Sequence, residues 1–171
     1  MHKPTLYLMV GFPGSGKTTI ANMISDLTGA EHLWADRIRM DQYKQPTYSH
    51  EENLQLYDKL NGKVAELLKT GKSVVFDTSF NYKADRTKLH DLATRHGADC
   101  KLIWVQTPRV IAKTRATEDA HLQTTRLLGN IPEADFERMS DKLEAPTSEE
   151  QPIIIEGIDV TKDIVKQKLG L

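Results

Sequence analysis

A chain of 171 residues has the length of one ordinary domain, enough to bury a layered core and too short for a second catalytic unit. Charged residues make up 27% and apolar residues 39%, a balance that excludes both a disordered chain and a membrane-embedded one. A net charge of −1 with a pI near 6.6 argues against the broad basic footprint of a protein that grips long nucleic acids. No apolar run approaches the roughly 20 residues that span a bilayer, and Met1 to Pro4 lead directly into a strand-like run without room for a signal peptide. The expected location is therefore cytoplasmic, with no membrane partner. Cys100 is the only cysteine and is expected to be an inert strand residue beside Leu102 and Ile103. The six histidines form no i, i+4 pair, so a zinc site is not expected.

In chain order, residues 5–10 are an apolar, β-prone run, followed by Gly11-Phe12-Pro13-Gly14-Ser15-Gly16-Lys17-Thr18 and Thr19. That octet fits the phosphate-gripping P-loop pattern G-x-x-x-x-G-K-[ST] at every fixed position, and a helical spacing of Ile20, Met23, Ile24 and Leu27 follows it. The glycines let backbone N–H groups curl around a phosphate, Lys17 reaches the β/γ-phosphates, and the Thr18 hydroxyl suits Mg²⁺. A second strand is predicted at 32–35. Residues 37–49 carry no clear period. Residues 50–70 read as a helix closed by Gly71, 73–77 as a strand, and 82–96 as a helix closed by Gly97. A strand at 101–105 precedes a helical stretch holding Arg109, and 117–130 is polar and threonine-rich. Residues 132–143 form a predicted helix with proline in its first turn, 152–156 a last strand, and 160–169 a terminal helix.

Strands alternating with helices predict a three-layer α/β P-loop NTPase fold, a single domain over 1–171 with a five-stranded, mostly parallel sheet. Ligands of such sheets sit beyond the carboxyl ends of the strands. The segments at about 36–60 and about 115–131 are placed there as the candidate acceptor-binding segment and helical lid.

Phosphoryl transfer needs an oriented nucleophile and cations around the migrating group. Asp36 stands at the end of the second strand, 36 − 17 = 19 residues beyond Lys17, where a carboxylate accepts a proton from an acceptor hydroxyl or simply N-caps a short helix. Spacing alone leaves both roles open. Arg39 lies one helical turn on and would clamp a polar or anionic acceptor. Asp77 ends the apolar run Val74-Val75-Phe76, where an acidic residue supports Mg²⁺ or simply caps the following turn with Thr78 and Ser79. Arg115 and Arg126 flank the threonine-rich stretch as candidate closing cations, whereas Arg86 and Arg109 fall on predicted helices and read as solvated surface.

Taken together, Gly11 to Thr19, the Asp36-x-x-Arg39 pair, Val75-Phe76-Asp77-Thr78 and the lid followed by Ile131-Pro132-Glu133 resemble the P-loop kinases grouped around polynucleotide 5′-hydroxyl kinase. Zeta-toxin and chloramphenicol phosphotransferase are more distant relatives in that likeness. The resemblance spans nearly the whole chain. It implies a sheet of nucleoside-monophosphate-kinase order with the P-loop strand central, ATP and Mg²⁺ as cofactors, Asp36 as general base and Arg39 as acceptor clamp. It also implies that Asp77 supports the metal site and that lid arginines clasp the transferring phosphate. The lid departs from the pattern, because Arg115 is followed by Glu118 and Asp119 and only Arg126 lies further along.

Two functions are thus weighed. The first is an ATP-dependent kinase phosphorylating the hydroxyl of a small molecule, nucleoside or nucleic-acid 5′ end. The second is a nucleotide-binding regulatory or GTPase-like module. The Asn-Lys-x-Asp guanine-reading run is missing, with Thr161-Lys162-Asp163 the nearest stretch, and so is a Leu-Ser-Gly-Gly-Gln signature. Residues 36–60 mix Arg37, Arg39, Lys44 and Lys59 with Asp36, Asp41, Glu51, Glu52 and Asp58, so acceptor binding is expected to depend little on salt. Trp34, Tyr43 and Tyr48 are candidates for stacking a base or sugar, Trp34 equally a core residue.

Overall fold

The computed structural model describes residues 2–171. Strand β1 (Thr5–Val10) is buried along its whole length, as expected of a central strand covered on both faces. Its neighbours are β3 (Val74–Asp77) and β4 (Asp99–Gln106), with β2 (Glu31–Trp34) and β5 (Ile153–Glu156) at the edges. All four pairings are parallel, in the order β2-β3-β1-β4-β5, so the sheet is wholly parallel with the P-loop strand central.

The period-2 alternation of β1 feeds two cores. Leu6, Leu8 and Val10 pack with Phe76 against α3 (His50–Lys69) and α4 (Lys83–Arg95), through Leu56, Leu60, Val64 and Leu89. Tyr7 and Met9 pack on the other side with Val75, Ile103 and Ile155, against Ile20 and Ile24 of α1 (Lys17–Thr28) and Val165 of α7 (Lys162–Leu169). Each fully buried aliphatic side chain contributes about 1.5–3 kcal/mol relative to exposure. The 20-residue α3 starts where the Ser49 hydroxyl accepts the Glu52 N–H, and its buried leucines recur at helical spacing.

Register brings Trp34 beside Asp77 and Gln106 beside Glu156, lining up the carboxyl ends of the strands at one edge of the sheet. Beyond that edge, α5 (Arg109–Thr117) and α6 (Glu133–Asp141) form the base of the lid around Ala112, Ala116 and Phe136. Asn130 ties the intervening segment shut, accepting from the Ala120 N–H at 2.9 Å and donating to the Glu118 carbonyl at 3.2 Å. Within it, residues Ala120–Leu122 make a single 3-10 turn.

Two expectations change. Residues 37–49 are not wholly irregular, since α2 runs Ala35–Gln42. It buries only Ala35 and Arg39, so there was no apolar stripe for a periodicity argument to find. Arg86 is not solvated surface. It is buried, donates to Glu150 at 2.6 Å and to the Phe80 carbonyl at 2.9 Å, and thereby pins the turn after β3. Arg109 does stay partly exposed, paired with Glu137 and with Asp141 at 2.8 Å. Cys100 is partly buried, and desolvation pushes its thiol up to about 12, out of the range of thiolate chemistry. No helix among the described residues is long and apolar enough to cross a membrane.

Candidate active site

The P-loop leaves β1 at Gly11 and enters α1 through Gly16, whose φ of 103° puts it in the left-handed region that favours glycine. Two elements hold the loop from behind. The Thr107 hydroxyl donates to the Ser15 carbonyl at 2.7 Å, and Gly157 packs so closely that an added Cβ would stand 2.0 Å from the same oxygen. Arg115 donates to the Gly157 carbonyl at 3.0 Å, and its guanidinium would lie 4.0 Å from a Cβ placed on Gly16. Arg115 therefore flanks the loop, outside the cavity in front of it.

That cavity has a volume of about 310 Å³. Its floor is Pro13, Gly14, Gly16, Lys17, Thr18 and Thr19. Asp36 and Arg39 of α2 form one wall, with Tyr48, Asn53 and Tyr57, while Asp77, Thr78 and Ser79 close the end of β3. Arg126, Leu127 and Leu128 of the lid come down from above. Of the predicted residues, then, Lys17, Thr18, Asp36, Arg39, Asp77 and Arg126 share one cavity.

Lys17 Nζ donates to the carbonyls of Gly11 and Phe12 at 2.9 and 2.8 Å. Burial lowers its pKa to about 8, with the charges of Asp77 and Asp36 acting the other way. Asp36 keeps an exposed face, and desolvation by the surrounding cavity walls raises it above the usual carboxylate range; Asp77 adds to the rise, and Lys17, Arg126 and Arg39 oppose it. Trp34, not Asp36, occupies the N-cap of α2, and Asp36 falls in the first helical turn, so capping does not account for it. The Arg126 Nε is buried without a hydrogen-bond partner, and burial pulls that guanidinium below its ordinary range.

Arg39 is nearly enclosed. It donates to Glu52 Oε1 at 2.5 Å and to Asn53 Oδ1 at 2.6 Å, with the Tyr48 ring centroid 4.4 Å from its guanidinium carbon. Glu52 also accepts from the Thr47 N–H at 2.8 Å, the first cause of its pKa falling to about 2. Tyr48 sits at a φ of 54°, uncommon for a bulky residue, in a turn held by that carboxylate.

A family model described as AAA domain matches residues 6–146. The chain belongs to the AAA domain family. No curated protein matches it by sequence. Among solved structures, this AAA domain resembles a putative kinase from Chloroflexus aurantiacus, at 17% identity and a TM-score of 0.75, covering 99% of this chain and 98% of that one. It also resembles a gluconokinase from Sinorhizobium meliloti, at 18% identity and a TM-score of 0.70, covering 99% and 92%. A third is the Mycobacterium tuberculosis APS kinase CysC in complex with AMPPNP and APS, at 16% identity and a TM-score of 0.64, covering 99% and 96%. At these identities the likeness defines a kinase-like P-loop fold.

Sequence reasoning missed several residues that build the site of this AAA domain. Glu52 and Asn53 look like ordinary helix surface in sequence, and only the buried Arg39 reveals their task. Tyr57 reads as one more apolar position of α3, yet its hydroxyl is 2.7 Å from that of Thr78 across the cavity wall. His32, an isolated polar residue in an edge strand, lies 2.9 Å from Asp77, and only strand register could have paired them. Trp34 stacks on His32 and does not line the cavity, and neither does Tyr43.

Proposed function

We propose that this protein is an ATP-dependent kinase that transfers the γ-phosphoryl group to a hydroxyl of a small molecule, a nucleoside or a nucleic-acid 5′ end. One observation carries the reading: Asp36 faces the same cavity as Lys17 and Thr18 of the P-loop, with Asp77 beside them and Arg126 over them. A binding module needs the phosphate cradle alone. A carboxylate of raised pKa opposite that cradle fits a general base.

In this reading the acceptor oxygen bonds to the γ-phosphorus as the bond to the β,γ-bridging oxygen breaks, and the hydroxyl proton passes to Asp36. Lys17, the loop N–H groups and Arg126 surround the charge carried by the phosphate oxygens. Arg39 is the acceptor clamp, oriented by Glu52 and Asn53, with Tyr48 and Tyr57 as walls.

The donor set fits Mg²⁺. Among the described residues no group of three or more His, Cys, Asp or Glu side chains could hold a metal alone. The cavity does offer the Thr18 hydroxyl and the Asp77 carboxylate beside a phosphate cradle, the sparse oxygen set that Mg²⁺ shares with substrate phosphates. Bound there, Mg²⁺ supplies neutralisation of phosphate charge.

The likeness of Asp36-x-x-Arg39 and the lid to polynucleotide 5′-hydroxyl kinases supports an alcohol acceptor. The Arg39–Glu52 pairing leaves the acceptor wall without a free basic patch, which favours acceptors whose binding is insensitive to salt. An ATP-consumption screen over hydroxyl acceptors, including 5′-hydroxyl oligonucleotides, tests the reading. Acceptor-dependent ADP release is expected, and a strong preference for GTP binding over ATP would contradict it.

A further inference from the structure

We propose that His32 is the positioning residue that aims the Asp77 carboxylate at the metal position, an assignment that rests on the kinase reading above. His32 Nε2 lies 2.9 Å from Asp77 Oδ2. An ionised carboxylate only accepts, so the ring N–H donates. Asp77 is buried, with 3% side-chain exposure, and among the described residues its carboxylate hydrogen-bonds to no group but His32. One carboxylate oxygen is thereby held while the residue lines the cavity beside Thr18.

The imidazole is itself fixed. Strand register sets His32 opposite Val75 and Trp34 opposite Asp77, and alternation puts all four on the face that packs against α1. Trp34 lies against the imidazole with ring centroids 6.0 Å apart and planes 8° from parallel. The Arg37 guanidinium carbon lies 5.3 Å from the centroid of the indole. The sequence Arg37, Trp34, His32, Asp77 is thus a continuous stack running from the surface to the cavity. A carboxylate at the end of a four-residue strand has two free torsions, and metal-supporting carboxylates need an outer hydrogen bond to fix them. A neighbour whose only task was packing would have no reason to present its N–H to the one buried carboxylate on the cavity wall.

The test compares His32→Asn with His32→Gln in the full-length protein. The glutamine amide reaches about as far as Nε2, whereas the asparagine amide falls short, and both are polar and uncharged. Calorimetric titration of ADP with and without Mn²⁺ reads the metal contribution without turnover. Mn²⁺ is expected to tighten ADP binding to the wild type. His32→Asn should cut that tightening about tenfold, the scale of an outer-shell loss, with metal-free ADP affinity unchanged, and His32→Gln should stay within about twofold of wild type. Equal behaviour of the two variants, or full tightening in His32→Asn, overturns the assignment alone. A wild type whose ADP binding ignores Mn²⁺ overturns the kinase reading, and the assignment falls with it.

Discussion

Arg39 and Glu52 form an ion pair with an N–O distance of 2.5 Å, and both side chains are almost fully enclosed. The pair joins three pieces of chain. Arg39 belongs to α2, Glu52 to the first turn of α3, and the Glu52 carboxylate also accepts from Thr47 in the turn between them. The wall of the cavity opposite the P-loop is therefore built around one carboxylate.

Glu52→Ala should release Arg39 and the turn at Tyr48 together. The expected result is a rise of about tenfold or more in the KM for the acceptor, with the KM for ATP within about twofold of wild type. Steady-state kinetics with each substrate varied in turn checks this. An equal rise in both would mean that the pair supports the whole fold and not the acceptor wall.

The pH profile should be a bell. Asp36 must be ionised to act as base, and desolvation by the cavity walls raises its pKa, so kcat/KM should fall as pH drops through a value above the ordinary carboxylate range. Lys17 must be protonated to meet phosphate, and its pKa is near 8, so the alkaline limb of the free enzyme should begin there. Bound phosphate favours the charged lysine, which should move the limb of kcat to higher pH than that of kcat/KM. Identical alkaline limbs in the two profiles would count against Lys17 as their source.

Gly157→Ala tests the support behind the P-loop. Its Cβ would meet the Ser15 carbonyl at 2.0 Å and the Thr107 hydroxyl at 2.1 Å, so the loop must shift. ATP affinity should drop by about tenfold or more, with thermal stability lowered by about 1–3 kcal/mol as for overpacked sites. Binding calorimetry and thermal melts read the two effects.

Gly62→Ala is the contrasting change. Gly62 lies inside α3 with nothing within 4 Å of an added Cβ. Alanine there should stabilise the protein by about 0.5–1 kcal/mol and leave catalysis unchanged. A chemical-denaturation midpoint that fails to rise would show that the helix needs the glycine.

Much of this architecture was legible because hydrophobic pattern and punctuation agree. The apolar runs of β1 and β3, the leucines of α3 and the P-loop glycines each specify an element locally, and alternation then requires a parallel sheet. Helix α2 gave no periodic signal because it buries two positions in eight and is held by the tertiary contacts of Arg39 with Glu52 and Asn53. The burial of Arg86 depends on Glu150, 64 residues away, and the His32–Asp77 pairing, across 45 residues, depends on the register between β2 and β3, which α2 and α3 separate in sequence. At the site, the residues of a contiguous motif could be named from sequence, whereas the partners that orient them could not.

Everything proposed for the site turns on Asp36 taking the proton of an acceptor hydroxyl. Asp36→Asn keeps the size of the side chain and removes its basicity. The most direct measurement is the single-turnover rate of phosphoryl transfer from saturating Mg²⁺-ATP to an acceptor identified in the screen, for wild type and variant, alongside calorimetric ATP affinity. The expected rate is about 10²- to 10⁴-fold lower in the variant, with ATP affinity unchanged. Transfer by Asp36→Asn at close to the wild-type rate would contradict it.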